Sequence, residues 1–137
     1  MEDTGVGPLD FRALLEAAPD GIGVVDDRGR ILVVNEQLCS MFGYEADELV
    51  GNSVEMLVPL QLQSDHRRHR ARYVASPTRR PMGLGMDLVG LRKDGTEIPV
   101  EISLSPVASA ARTFTVAVVR DISERRRLQV EQEALRT

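Results

Sequence analysis

Residues 83–107 run GLGMDLVGLRKDGTEIPVEISLSPV, and the other segments of the chain find their places around them. At the centre stands Asp94-Gly95. A two-residue hairpin turn of type I′ needs positive φ at both central residues, and Asp followed by Gly tolerates that conformation. On the way in, Leu84, Met86, Leu88 and Gly90 share one face; on the way out, Val100, Ile102 and Leu104 share a face and alternate with Glu101, Ser103 and Ser105. One face of the predicted hairpin is therefore built for burial. Two strands alone are marginally stable, so other segments must cover that face.

Downstream, residues 113–120 place Phe114, Val116 and Val118 on one face and Thr115, Ala117 and Val119 on the other. A strand that avoids water on both faces belongs in the middle of a sheet, covered on both sides. Asp121-Ile122-Ser123-Glu124 then has the form of a capping box, an Asp with a Glu three residues on, opening a helix. The remainder to Thr137 is charged, with Leu128 and Leu135 one heptad apart. That spacing fits the start of a coiled coil and equally a frayed terminal helix.

Upstream, residues 61–75 carry the longest helical pattern, with Leu62, His66, His69 and Tyr73 along one side and Arg67, Arg68, Arg70 and Arg72 around the rest. Before it, Ser53 with Met56 and Leu57 makes a short turn, and residues 46–50 make another, ended by Gly51-Asn52. Asn35 suits a helix cap, with Leu38, Cys39, Met41 and Phe42 on the apolar side and Gly43 as the stop. Residues 22–26 and 30–34 read as two short strands around Asp26-Asp27-Arg28-Gly29. Phe11, Leu14, Leu15 and Ala18 form an apolar stripe on a first helix that Asp10 caps and Pro19-Asp20-Gly21 ends. That stripe must lie on the main body or on a second copy of the chain. The expected division is a lead-in over residues 1–9, a domain over 10–121 and an exit helix over 122–137.

A chain of 137 residues has room for one core. With 28% charged and 42% hydrophobic residues its composition is that of a soluble globular domain. There is no apolar run of membrane-spanning length and no signal pattern at Met1-Glu2-Asp3-Thr4, so the cytoplasm is the expected location. Cys39 is the single cysteine, which excludes an internal disulfide and a cysteine-based metal site and agrees with a reducing compartment. The net charge of −4 argues against a nucleic-acid binder. Trp is absent, and Phe11, Phe42, Tyr44, Tyr73 and Phe114 leave few candidates for stacking a large planar ring.

A hairpin, short helices, one longer helix, long strands and an exit helix make a mixed α+β order. In that order stand Ala18-Pro19-Asp20-Gly21-Ile22, Val34-Asn35-Glu36, Phe42-Gly43-Tyr44, Glu48-Leu49-Val50-Gly51-Asn52-Ser53, Arg92-Lys93-Asp94-Gly95-Thr96 and Arg120-Asp121-Ile122-Ser123-Glu124-Arg125. Together these resemble the PAS family of sensory domains over nearly the whole chain. The resemblance implies a five-stranded antiparallel sheet whose concave face, closed by helices, forms a pocket. It also implies a job, sensing a small molecule, redox state, light or a partner and passing the signal through the terminal helix to an effector outside this chain. Family members sit before histidine kinases, phosphatases, nucleotide cyclases and transcription factors, so bacterial signalling and regulation of transcription are the expected setting.

The resemblance also frames the candidate sites. In haem-binding PAS oxygen sensors a His on the long helix ligates iron, and His66, followed by Arg72-Tyr73, stands at the matching position. Met86, however, stands where those sensors place an arginine that contacts bound gas. The light-sensing branch needs a reactive Cys in the stretch that is Gly51-Asn52-Ser53-Val54-Glu55 here, and none is present. The arginines at 67, 68, 70, 72, 79 and 80 fit a solvated basic face better than a nucleic-acid reading head. No nucleophile set, phosphate loop or metal-ligand spacing points to an enzyme. The expected pocket is apolar, lined by Leu84, Met86, Leu88, Ile102 and Leu104 from the strands and Met41, Met56 and Leu57 from the short helices. Polar groups gather on the side of His66, His69, Arg70 and Tyr73. Such a chamber with a cationic edge suits an apolar or amphiphilic ligand, a fatty acid for example. The function expected is a homodimeric sensory module for such a ligand, with a haem sensor using His66 and a ligand-free interaction domain as alternatives.

Overall fold

Turn chemistry cuts the chain into elements, and the structure, a computed structural model describing residues 11–78 and 88–136, follows those cuts closely. The first helix, α1 (Phe11–Ala17), stops before Pro19, and β1 (Gly21–Val25) and β2 (Ile31–Val34) make a hairpin. Its turn is closed by the Asp26 carboxylate, which accepts the N–H groups of Arg28 and Arg30, each at 2.9 Å. Asn35 caps α2 (Glu36–Phe42), and Gly43 ends it in the left-handed conformation at φ 80°. Reciprocal bonds between Glu45 and Glu48 start α3 (Ala46–Leu49). Two 3-10 turns, Val54–Leu57 and Leu60–Leu62, lead into α4 (Gln63–Ala75). Then come β3 (Leu88–Leu91), β4 (Glu97–Ser109), β5 (Arg112–Asp121) and α5 (Ser123–Arg136).

The five strands form one antiparallel sheet in the order β2-β1-β5-β4-β3. The strand apolar on both faces, β5, is central, as its composition predicts. Pairing of Ile102 with Val119 and of Leu104 with Ala117 sets these residues on the inner face. There Ile98, Val100 and Val119 close over Ile31, Val34, Leu38, Phe42, Leu49 and Leu57 to form the core. Within this core Gly90 is closely packed, for a Cβ there would lie 2.5 Å from the Phe42 ring. On the outer face, Phe114, Val116 and Val118 stay half-buried, alongside Ile22 and Val24 of β1.

Two turns differ from expectation. Pairing of β3 with β4 ends at Leu91 and Glu97, and residues 92–96 make the turn. Only Gly95 takes positive φ, at 90°. Asp94 keeps negative φ because its carboxylate accepts both the N–H of Thr96 at 2.9 Å and its hydroxyl at 2.6 Å. The two-residue loop with positive φ at both positions joins β4 to β5, at Ala110 (φ 49°) and Ala111 (φ 64°). Neither alanine has side-chain chemistry that favours this, so the sequence carries no sign of it. At the exit, the Asp121 carboxylate accepts the N–H of Ser123 at 2.8 Å, two residues on, and the capping box with Glu124 does not form. The buried Ile122 instead leads into α5, its N–H bound to Pro99 O at 3.1 Å, and Arg125 pairs with Glu101 of β4.

Candidate functional site

Burial falls along the inner face of β4. Ile98 and Val100 are 0% and 1% exposed beneath α2, whereas Ile102 and Leu104 further along are half-buried. Met56 and Leu88 are likewise partly buried against the core, with Leu57 inside it, whereas Met41 lies at the sealed end, beside Arg92 and Asp121. Of the expected lining residues, Met56, Leu88 and Ile102 lie at the core's edge, Leu57 lies within the core, Leu104 continues the face of Ile102, and Met41 stands apart beside Arg92. Leu84 and Met86 lie outside the described residues.

The inward stripe of α4 is Gln63, His66, Arg70 and Tyr73, with Tyr73 buried at 6% exposure. Leu62 and His69, placed with His66 by the sequence pattern, are exposed. The stripe that reaches the body steps through positions 63, 66, 70 and 73, and the turn of about 100° per residue puts position 69 on its solvent flank. His69 is thus not part of the lining.

What draws α4 inward is a residue the sequence reading passed over. Glu55, in the first of the 3-10 turns, is 2% exposed. His66 Nδ1 lies 2.6 Å from its Oε2, Arg70 donates Nε to Oε2 and Nη2 to Oε1 at 3.1 Å each, and the Ser53 hydroxyl donates to Oε1 at 3.0 Å. Arg67 Nε stands 4.0 Å away. Gln63 Nε2 adds bonds to the backbone carbonyls of Glu55 at 3.0 Å and Val58 at 3.1 Å. Burial pushes the Glu55 carboxyl up, but hydrogen bonds from Arg70, His66 and Ser53 outweigh it and hold the group below the usual carboxylate range. The Arg70 guanidinium also lies against the β1–β2 turn, where a Cβ on Gly29 would come within 2.5 Å of its Cζ. One carboxylate so ties α4, the 3-10 turn and the first hairpin together. Its trace in the sequence is a lone Glu inside the apolar run Val54-Glu55-Met56-Leu57.

A second buried polar node sits at the opposite end. Asn35, 0% exposed, accepts the N–H groups of Ile22 at 2.8 Å and Leu38 at 3.0 Å through Oδ1. It donates through Nδ2 to the carbonyls of Leu15 at 2.9 Å and Asp20 at 3.0 Å. Nearby, a cavity of about 380 Å³ is lined in part by Asp20, Ser40, Met41, Arg92, Arg120 and Asp121, with Arg120 paired to Asp20 at 3.0 Å. Cys39 is half-buried, and burial followed by the charges of Glu16, Glu45 and Glu36 pushes its thiol up, away from the reactive thiolate. No helix among the described residues is long and apolar enough to cross a membrane.

Comparison with known proteins agrees with this architecture. A family model described as PAS domain matches residues 19–124. The sensor protein FixL of Bradyrhizobium diazoefficiens is 28% identical over 127 residues, 93% of this chain and 25% of that protein. The oxygen sensor protein DosP of Escherichia coli is 26% identical over 113 residues, 82% of this chain and 14% of that protein. The cell-division control histidine kinase PdhS of Brucella abortus is 27% identical over 122 residues, 89% of this chain and 12% of that protein. The chain thus spans a quarter or less of these relatives. Among solved structures, the PAS domain of an HTR-like protein from Haloarcula marismortui is 26% identical with a TM-score of 0.66, over 81% of this chain and 88% of that one. An RNA-binding light-oxygen-voltage receptor, 23% identical, shares the fold with a TM-score of 0.74 over 98% of this chain and 39% of that one.

Proposed function

The chain belongs to the PAS domain family, and from that premise we propose that it is a sensory module whose inner-face chamber takes a small, largely apolar or amphiphilic ligand. The observation that carries this reading is the burial gradient along β4, where a sealed core gives way to half-buried Ile102 and Leu104, with Leu88 and Met56 partly buried nearby and the polar stripe of α4 tied to the same 3-10 turn as Met56. A methionine in such a wall can repack around ligands of different shape. The ligand's polar end lies towards His66 and Arg70. Native mass spectrometry of the purified chain, with titration of medium-chain amphiphiles, tests the reading. Leu104→Trp, which fills the chamber from its half-buried side, is expected to abolish binding while the domain stays folded. Unchanged binding in that variant rules the chamber out.

The module acts as a homodimer and passes its signal through α5 to an effector outside this chain, with residues 10–121 as the sensor and 122–137 as the output segment. Support for the dimer comes from Phe11 and Leu14, both 60% exposed on α1, and from the apolar outer face of the sheet. Support for the output route comes from the tie of α5 to β4 through Ile122, Pro99 and the Arg125–Glu101 pair. Light scattering on the full chain tests the dimer, and a monomer at working concentration removes it.

One observation favours haem as a second reading. An ionised Glu55 carboxylate can only accept, so a neutral His66 bound to it presents Nδ1–H and has its Nε2 lone pair as a ligand. DosP, whose name states oxygen sensing, is among the relatives. Haem held by His66 would supply an iron that binds gas. Reconstitution followed by absorbance spectroscopy tests this; a stoichiometric complex that His66→Ala destroys would replace the amphiphile reading.

A further inference from the structure

We propose that the cavity between α2 and the end of the sheet, apart from the chamber, binds a small zwitterion, a molecule with one carboxylate and one ammonium group such as a free amino acid. Strand parity brings the two decisive charges to one side. Asp121 stands two residues beyond the core residue Val119, and Arg92 two residues beyond Gly90, which packs on Phe42 of α2. The ladder still holds at Arg92, whose N–H is bound to Thr96 O at 2.9 Å. Side chains two residues apart along a strand share a face, so both charges project towards α2. Arg92 reaches that helix, donating Nε to Met41 O at 3.1 Å. Both residues line the cavity, whose volume of about 380 Å³ lies in the range of small-molecule sites.

The charges on the cavity wall are of two kinds. Arg120 and Asp20 pair with each other, Nε donating to Oδ1 at 3.3 Å and Nη2 to Oδ2 at 3.0 Å, and so cancel. Arg92 and Asp121 have no carboxylate or cation in ion-pair contact among the described residues. Arg92 spends Nε on a neutral carbonyl, which leaves the fork of Nη1 and Nη2 for an anion. Asp121 accepts the Ser123 N–H through Oδ1, which leaves Oδ2 for a cation. Gln37 and Ser40 stand on the same wall with no side-chain bond among the described residues, an amide and a hydroxyl able to serve either end. An anion alone meets two aspartates beside its arginine, and a cation alone meets two arginines beside its aspartate, so a singly charged solute leaves one wall charge unmatched. A zwitterion matches both. Its place also joins the ends of the domain, for Pro19 and Asp20 lead out of α1 while Arg120 and Asp121 lead into α5.

The test is a nuclear magnetic resonance titration of the isotope-labelled full chain near neutral pH. The probes are free alanine and γ-aminobutyrate, zwitterions with adjacent and separated charges, against butyrate and butylamine, which carry one charge each. Saturable shifts are expected at the amides of Gln37, Ser40 and Asp121 in the millimolar range, with at least one zwitterion binding about 10-fold or more tighter than either singly charged compound. Arg92→Gln and Asp121→Asn, each confirmed folded by circular dichroism, are expected to lower that affinity about 5-fold or more, since each removes one charge-assisted contact that lies partly in water. Asp121→Asn keeps an acceptor for the Ser123 N–H, so the entry to α5 stays capped. Should a variant not fold, the four solutes on the wild-type chain decide alone. The assignment is overturned if no probe gives saturable shifts at these amides, if butyrate or butylamine binds as tightly as the zwitterions, or if affinity is unchanged in either folded variant. None of these outcomes touches the chamber reading, which concerns the other end of the inner face.

Discussion

Asn35 and Glu55 are both almost wholly buried, and each fastens three segments, yet they make different kinds of joint. Asn35 is neutral, and each of its four side-chain bonds goes to a backbone group of α1, β1, α2 or the segments between them. Nothing it holds can titrate or be replaced by a solute, so that end of the sheet is fixed. Glu55 is charged, its principal partners are side chains on one helix, and those partners reach water, with 38% of the His66 side chain and 21% of Arg70 exposed. The same degree of burial thus yields a permanent joint where the partners are backbone and an exchangeable one where they are side chains that reach water.

The largest effect that would break this contrast is expected at the fixed joint. Asn35→Leu should cost about 4 kcal/mol, since a helix cap is lost and backbone groups of Ile22, Leu15 and Asp20 go unsatisfied. Urea denaturation measures it, and a loss below about 1 kcal/mol would mean that water replaces the side chain and the joint is not fixed. Next, Gly90→Ala should cost about 3 kcal/mol, because the new methyl meets the Phe42 ring in a sealed region, while Leu104→Met at the looser end should cost less than about 1 kcal/mol. Equal costs in thermal unfolding would erase the difference between the two ends.

At the exchangeable joint, Glu55→Gln should cost about 2 kcal/mol near neutral pH, less than a fully buried pair because its partners stay partly in water. This deficit depends on pH with a definite sign. Since the folded carboxyl is held below its ordinary range, the unfolded chain takes up the proton first. The stabilisation is complete above the unfolded value of about 4.3 and is lost as pH falls through the depressed folded value. Urea titrations across this window should show the gap between wild type and Glu55→Gln closing, while the Asn35→Leu gap stays constant. A small effect is expected at the exit. Asp121→Ala should cost about 1 kcal/mol through loss of the bond to Ser123 N–H, and should weaken signalling in a full-length protein without altering ligand affinity. Unaltered signalling there would remove α5 as the output route.

The legible parts of the fold were those whose cause lies within a few residues. Gly43 as a helix stop, Asn35 as a cap and the doubly apolar β5 each announce themselves locally. Asn35 shows the limit of this, for its cap to Leu38 is readable and its bonds to Leu15, Asp20 and Ile22 are not, because they depend on tertiary placement. Glu55 was illegible for the same reason, its partners lying 11 and 15 residues away across two irregular turns. Helical periodicity grouped His69 with His66 correctly in spacing, but a spacing of three leaves open which flank of the helix faces inward. Asp94-Gly95 was read as a two-residue turn because dipeptide preference is blind to the side-chain bond that Asp94 makes with Thr96.

The Ala110-Ala111 loop bears on how the chain folds. It closes the longest strand pair among the described residues, and its left-handed conformation costs alanine about 1 kcal/mol or more per residue. A hairpin with an unfavourable loop does not start at that loop. The pairing of β4 with β5 is instead expected to begin where both strands face the core, near Ile102 and Val119, and to zip outwards, with the loop forming last. Its strain is then absent from the transition state and weighs chiefly on the rate of unfolding, and a chain with Asn and Gly at these positions would fold no faster but come apart more slowly.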